Sequence, residues 1–84
     1  MITDNRLKVF CTVADQLSFS KAAKILGISQ PAVTKHILIL EKEIGCALFL
    51  RISNSVVLTE KGEKFLKISK EILSLYQSFN ILKS

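Results

Sequence analysis

Eighty-four residues with 49% hydrophobic content make one small folded domain rather than a disordered tail. The net charge of +5 points to a polyanionic partner, either nucleic acid or an acidic membrane surface. No apolar run approaches the roughly 18 residues that a membrane span requires, the longest lying around Cys46–Leu50.

Other classes are disfavoured by the scarcity of chemistry-bearing residues. Cys11 and Cys46 have neither CxxC nor CxxH spacing, and His36 is the single histidine, so no metal site is expected. The two cysteines read as reduced thiols filling apolar gaps in a cytoplasmic protein. The N-terminus carries Asp4 and lacks an apolar stretch of signal-peptide type. No Ser/His/Asp set and no phosphate-binding glycine loop is present, so neither an enzyme nor a cofactor is expected.

The first periodic segment runs from about Asp4 to Leu17, with Leu7, Phe10, Val13, Ala14 and Leu17 on one helical face. Ser18 offers a cap for a second helix through Leu26, whose inner face is Phe19, Ala22, Ala23 and Leu26. Gly27 ends it, and Ser29 caps a third helix running to about Ile44. Pro31 falls in the first turn of that helix, where its missing N–H costs nothing. Val33, Ile37, Leu40 and Ile44 form its buried stripe, and Gly45 stops it. Two helices joined by Gly27-Ile28-Ser29 describe a helix-turn-helix.

Beyond Gly45, Leu48–Arg51 and Val56–Thr59 are β-prone runs around the polar turn Ile52–Ser55. A two-stranded hairpin is marginal alone, so it should rest on the helices through Phe49 and Leu58. Thr59 can cap a last helix from about Glu60 to Leu82, with Glu60 and Glu63 at the positive end of its dipole. On that helix Phe65, Ile68, Ile72, Leu75, Phe79 and Leu82 form a heptad seam suited to a homodimer. Leu73 and Tyr76 widen the apolar stripe enough for it also to fold back on the first helix. The fold expected is mainly α, a three-helix core with a short β-hairpin wing and a long last helix.

Sequence reading of DNA needs a helix whose N-terminal side chains reach base edges in the major groove. The third helix offers Ser29, Gln30, Pro31, Ala32, Thr34 and Lys35 there. Gln30 can pair with an adenine edge, Thr34 with a base or phosphate, and Lys35 with guanine or phosphate, while Pro31 and Ala32 can touch a thymine methyl. A winged helix reused for protein interaction is the competing reading; the basic character of residues 21–51 favours DNA. His36 reads as a solvent or phosphate contact, and Lys61, Lys64, Lys67 and Lys70 as a mostly solvated face.

The stretch from Ser18 to Lys35 resembles the helix-turn-helix of the LysR-type transcriptional regulators. The resemblance continues through Ile37, Leu40-Glu41, Ile44-Gly45, Leu48-Phe49, Arg51, Leu58-Thr59 and Gly62. It implies a winged helix-turn-helix over residues 1–59 (helix-turn-helix about 18–37, wing about 48–59) and a linker and dimerisation helix over 60–84. It also implies operator DNA as partner, contacts by Gln30, Pro31, Thr34 and Lys35, backbone contacts by Ser20 and Lys21, and an Arg51 that anchors the wing or touches phosphate. Asn54 stands at the wing tip, where many members carry an arginine, and Leu38 and Ile39 stand where basic or polar residues are usual. The effector-binding domain of such regulators, with its small-molecule ligand, is absent from this chain.

Overall fold

A computed structural model describes residues 2–53 and 55–83. The element order is α1 (Asp4–Gln16), α2 (Phe19–Leu26), α3 (Gln30–Ile44), β1 (Phe49–Ile52), β2 (Ser55–Leu58) and α4 (Glu60–Lys83). This is the mainly helical, winged architecture expected.

Hydroxyl side chains begin every helix. Thr3 accepts the Arg6 N–H at 3.2 Å, Ser18 that of Lys21 at 3.1 Å, Ser29 that of Ala32 at 3.2 Å, and Thr59 that of Gly62 at 2.9 Å. Gly27 and Gly45 end α2 and α3 in the left-handed region, at φ 68° and 85°. The end of α1 departs from expectation. Leu17 takes the same role at φ 49°, a conformation costly for a residue with a Cβ, and its side chain is 44% exposed rather than buried. Its N–H still bonds the Val13 carbonyl at 2.7 Å, so the helix closes one residue early.

α1 packs against α2, α3 and α4 at once. Its apolar surface is therefore wider than one stripe, and Val9 and Cys11 are buried along with Leu7, Phe10, Val13 and Ala14. From α2 come Phe19, Ala22 and Ala23; from α3 come Val33, Ile37 and Leu40. Phe10 stands at the centre, its ring 5.3 Å from that of Phe49 and 4.9 Å from that of Phe65.

The hairpin is antiparallel, with Phe49 opposite Leu58, Leu50 opposite Val57, Arg51 opposite Val56 and Ile52 opposite Ser55. Both strands lie one residue from the expected positions, β1 later and β2 earlier. Leu48 is excluded from the strand because its N–H is taken by the Glu41 carboxylate at 2.8 Å. The hairpin rests on the helices through Phe49, with Leu58 and the buried Val56 beside it. At its base, Thr59 donates its hydroxyl to the Ala47 carbonyl at 2.7 Å and its N–H to Leu48 at 3.0 Å. A methyl group added at Gly62 would run into the Leu48 carbonyl oxygen and come within 3.0 Å of Leu58 Cδ2, so only glycine admits this close approach.

α4 divides its apolar residues between two faces. Gly62 and Ser69 are buried, and Phe65, Leu66 and Leu73 are half-buried against the core. Lys70 fixes the same side, its ammonium 3.4 Å from Asp15 of α1. Ile68, Ile72, Leu75, Phe79 and Leu82 point away, between 37% and 80% exposed. Of the six residues in the heptad seam, Phe65 thus turns inward to Phe10 and the other five form an open stripe.

Candidate nucleic-acid interface

The candidate interface begins at the turn between α2 and α3. Gly27 donates its N–H to Lys24 at 3.3 Å and Ile28 donates to Ala23 at 3.1 Å, so the chain reverses tightly and α3 starts three residues later. Ala22 and Ala23, both buried, let the helices approach closely. Val33, Ile37 and Leu40 then pin one side of α3 to the core, which fixes its rotation and leaves the opposite side in solvent.

That open side carries Gln30, Pro31, Thr34 and Lys35, brought together on one shallow depression. Gln30, Pro31 and Lys35 are exposed and Thr34 is half-buried. Ser29 is exposed, but its hydroxyl oxygen is engaged by the Ala32 N–H, and Ala32 itself is half-buried beside this face rather than on it. Ser20 and Lys21 stand exposed in the first turn of α2, the Ser20 hydroxyl 3.2 Å from that of Ser18. The N-terminal ends of α2 and α3 both present positive dipole ends, which favour anionic groups.

Arg51 projects from β1 over the Phe19 ring, its guanidinium carbon 5.0 Å from the ring centroid. The wing is thereby tied to the start of α2. Arg51, Phe19, Thr34, Leu38 and Glu41 line a cleft between the wing and α3. Asn54 lies outside the described residues.

Five residues have places that the linear pattern did not give. Leu38, 59% exposed, and Ile39 line the same depression as Gln30 and Thr34, and Lys42 closes its far end. Glu41 accepts the N–H groups of Leu48 and Phe49 at 2.8 and 3.4 Å and so positions the root of the wing. His36 does not share the open face with Gln30, Thr34 and Lys35. Its Nδ1 is buried without a hydrogen-bond partner among the described residues. Burial, and then the charges of Arg6 and Lys35, lower its pKa and so favour the neutral imidazole, and the ring is half-buried where the sequence suggested a solvent or phosphate contact.

Burial also pushes the Cys11 thiol up, assisted by Asp15 and opposed by Lys70. Lys64 lies 3.8 Å from Glu60 in an exposed pair. Among the described residues no group of three or more His, Cys, Asp or Glu side chains could hold a metal ion. No helix among them is long and apolar enough to cross a membrane.

A capped helix-turn-helix flanked by a docked hairpin, with a long helix behind, defines a winged helix-turn-helix protein. The profile of the bacterial regulatory helix-turn-helix proteins of the lysR family matches residues 5–63, and this chain belongs to that family. The HTH-type transcriptional regulator BudR of Klebsiella aerogenes is 46% identical over 69 residues, covering 82% of this chain and 48% of BudR. The crystal structure of the CbnR DNA-binding domain–DNA complex matches with a TM-score of 0.92 at 32% identity, over 98% of this chain and 94% of that one. The complex of the BenM DNA-binding domain with catB site 1 DNA also gives 0.92 at 32% identity, over 98% and 91%. The chain spans half or less of the length of the curated relatives it matches.

Proposed function

We propose that this chain binds double-stranded operator DNA sequence-specifically, as the DNA-binding part of a bacterial LysR-type transcriptional regulator. The observation that carries the reading is the open face of α3, where Gln30, Thr34 and Lys35 share one depression and the core holds the helix by its other side. On this reading Gln30 and Thr34 read base edges, Lys35 reaches guanine or phosphate, and Pro31 and Ala32 meet thymine methyl groups. Ser20, Lys21 and Ser29 contact the sugar-phosphate backbone. Arg51 braces the wing on Phe19, and Asn54, being neutral, attracts the minor groove less than an arginine would.

Two copies associate through Ile68, Ile72, Leu75, Phe79 and Leu82, the apolar stripe that α4 leaves open, with Phe65 at its inner edge. Residues 1–59 serve as the DNA-binding unit and 60–84 as the linker and dimerisation helix. Work of this kind is binding rather than catalysis, carried out in the cytoplasm. Any small-molecule effector belongs to a domain outside this sequence.

The testing experiment is a salt titration of binding to duplex DNA. With about four phosphates neutralised per protomer, log affinity against log salt has a slope of about −7 for the dimer. Binding that hardly changes between low and moderate salt overturns phosphate-driven docking.

A further inference from the structure

Leu38 is the one exposed large apolar side chain among the described residues of α3, and it stands on the face that the DNA-binding reading turns toward the groove, with the half-buried Ile39 beside it. Exposed apolar residues are ordinary when scattered singly. The place of this one is not ordinary. Pro31, Lys35, Leu38 and Lys42 recur at steps of four, three and four residues, which sets them in one line along the helix with Leu38 between the two lysines. Leu38 also lines both the depression shared with Gln30 and the cleft shared with Arg51. A polyanion drawn to Lys35 and Lys42 therefore covers Leu38, at 59% exposure, and desolvates it.

The apolar group that a duplex offers in its major groove is the C5-methyl of thymine. We infer that Leu38 is a specificity-determining residue that selects a thymine methyl in the operator. The inference rests on the DNA-binding reading and deepens it. Leu38 lies eight residues beyond Gln30, or about 12 Å along the helix axis at ~1.5 Å per residue. For a helix lying along the groove this corresponds to about three to four base pairs at ~3.4 Å each. The thymine is thus expected at that separation from the base read by Gln30, too far for Pro31 or Ala32 to account for it.

The experiment uses a duplex selected by the unaltered chain from a random DNA pool, with each thymine exchanged singly for deoxyuridine, which removes only the methyl. One position per half-site, three to four base pairs from the one whose preference Gln30→Ala erases, should lose roughly fourfold in affinity, the value of burying one methyl-sized group. Leu38→Ala should lose this sensitivity and Leu38→Met should keep it, with both variants melting as cooperatively as the parent. Sensitivity that persists in Leu38→Ala overturns the inference. So does a Leu38→Ala whose mass in solution changes while its deoxyuridine profile does not, since Leu38 would then serve contacts between copies. Salt-dependent binding indifferent to every exchange overturns the inference alone, whereas no binding by the unaltered chain overturns the DNA-binding reading beneath it.

Discussion

The carboxylate of Glu41, near the end of α3, accepts the backbone N–H of Leu48 at 2.8 Å and so ties the wing to the candidate recognition helix. Leu48 is fully buried, and a second, longer bond of 3.4 Å reaches Phe49. Replacing Glu41 by Ala leaves these donors without their acceptor in a region partly closed to water. Urea unfolding should show a loss of about 1–3 kcal/mol, the cost of orphaning a buried polar group. Glu41→Gln retains one carbonyl oxygen and should lose less. Equal stability in all three proteins would mean that the wing is held by Phe49 and Val56 alone.

Much of this fold is legible because caps and stops are local chemistry. Ser18, Ser29 and Thr59 announce helices, and Gly27 and Gly45 end two of them. Leu17 was hidden because it ends α1 in a conformation that usually selects glycine. The strand limits were hidden because the Leu48 N–H goes to a side chain seven residues away rather than to the hairpin. The candidate site was legible where helical period suffices: Val33, Ile37 and Leu40 face inward, so Gln30, Thr34 and Lys35 must face out. It was not legible where a second element decides. Arg6 of α1 bears on His36, and Phe10 draws Phe65 out of a seam that looks continuous in one dimension.

His36 predicts a pH dependence of stability. Its folded-state pKa is lowered from the ordinary 6.5 by burial and then by Arg6 and Lys35, so the unfolded chain binds the proton more readily. Stability from the neutral imidazole is present above about pH 6.5 and is lost as pH falls through the lower folded value. Melting temperature should fall on acidification from neutrality in the native chain, and His36→Gln should flatten that slope. A slope unchanged in the variant would assign the acid sensitivity to the carboxylates.

The open stripe on α4 predicts a dimer that two substitutions dissociate. Ile72 and Leu75 are neighbours on that face, 37% and 69% exposed in the single chain, whereas Leu66 and Ser69 face the core. Asp at both positions puts charge into an apolar seam without disturbing the packing on α1, so sedimentation should report a monomer with unchanged helix content. A dimer that survives the double substitution has its interface elsewhere.

The sharpest test of docking separates two residues at opposite ends of one depression on α3. Gln30 lies in the first turn, where a side chain reaches base edges once the helix enters the groove N-terminus first. Gln30→Ala should cost about 1–3 kcal/mol on the preferred operator and flatten the preference at one base position. Lys42 lies in the last turn, one turn beyond Leu38, where a helix that enters N-terminus first leaves the groove and an ammonium is expected to meet phosphate rather than a base edge. Lys42→Ala should weaken binding slightly and equally on all sequences, changing the salt slope by about one or less. Both variants are to be titrated on the operator and on scrambled DNA of the same length. A Lys42→Ala protein that changes base preference while Gln30→Ala leaves it intact would mean that α3 enters the groove by its other end.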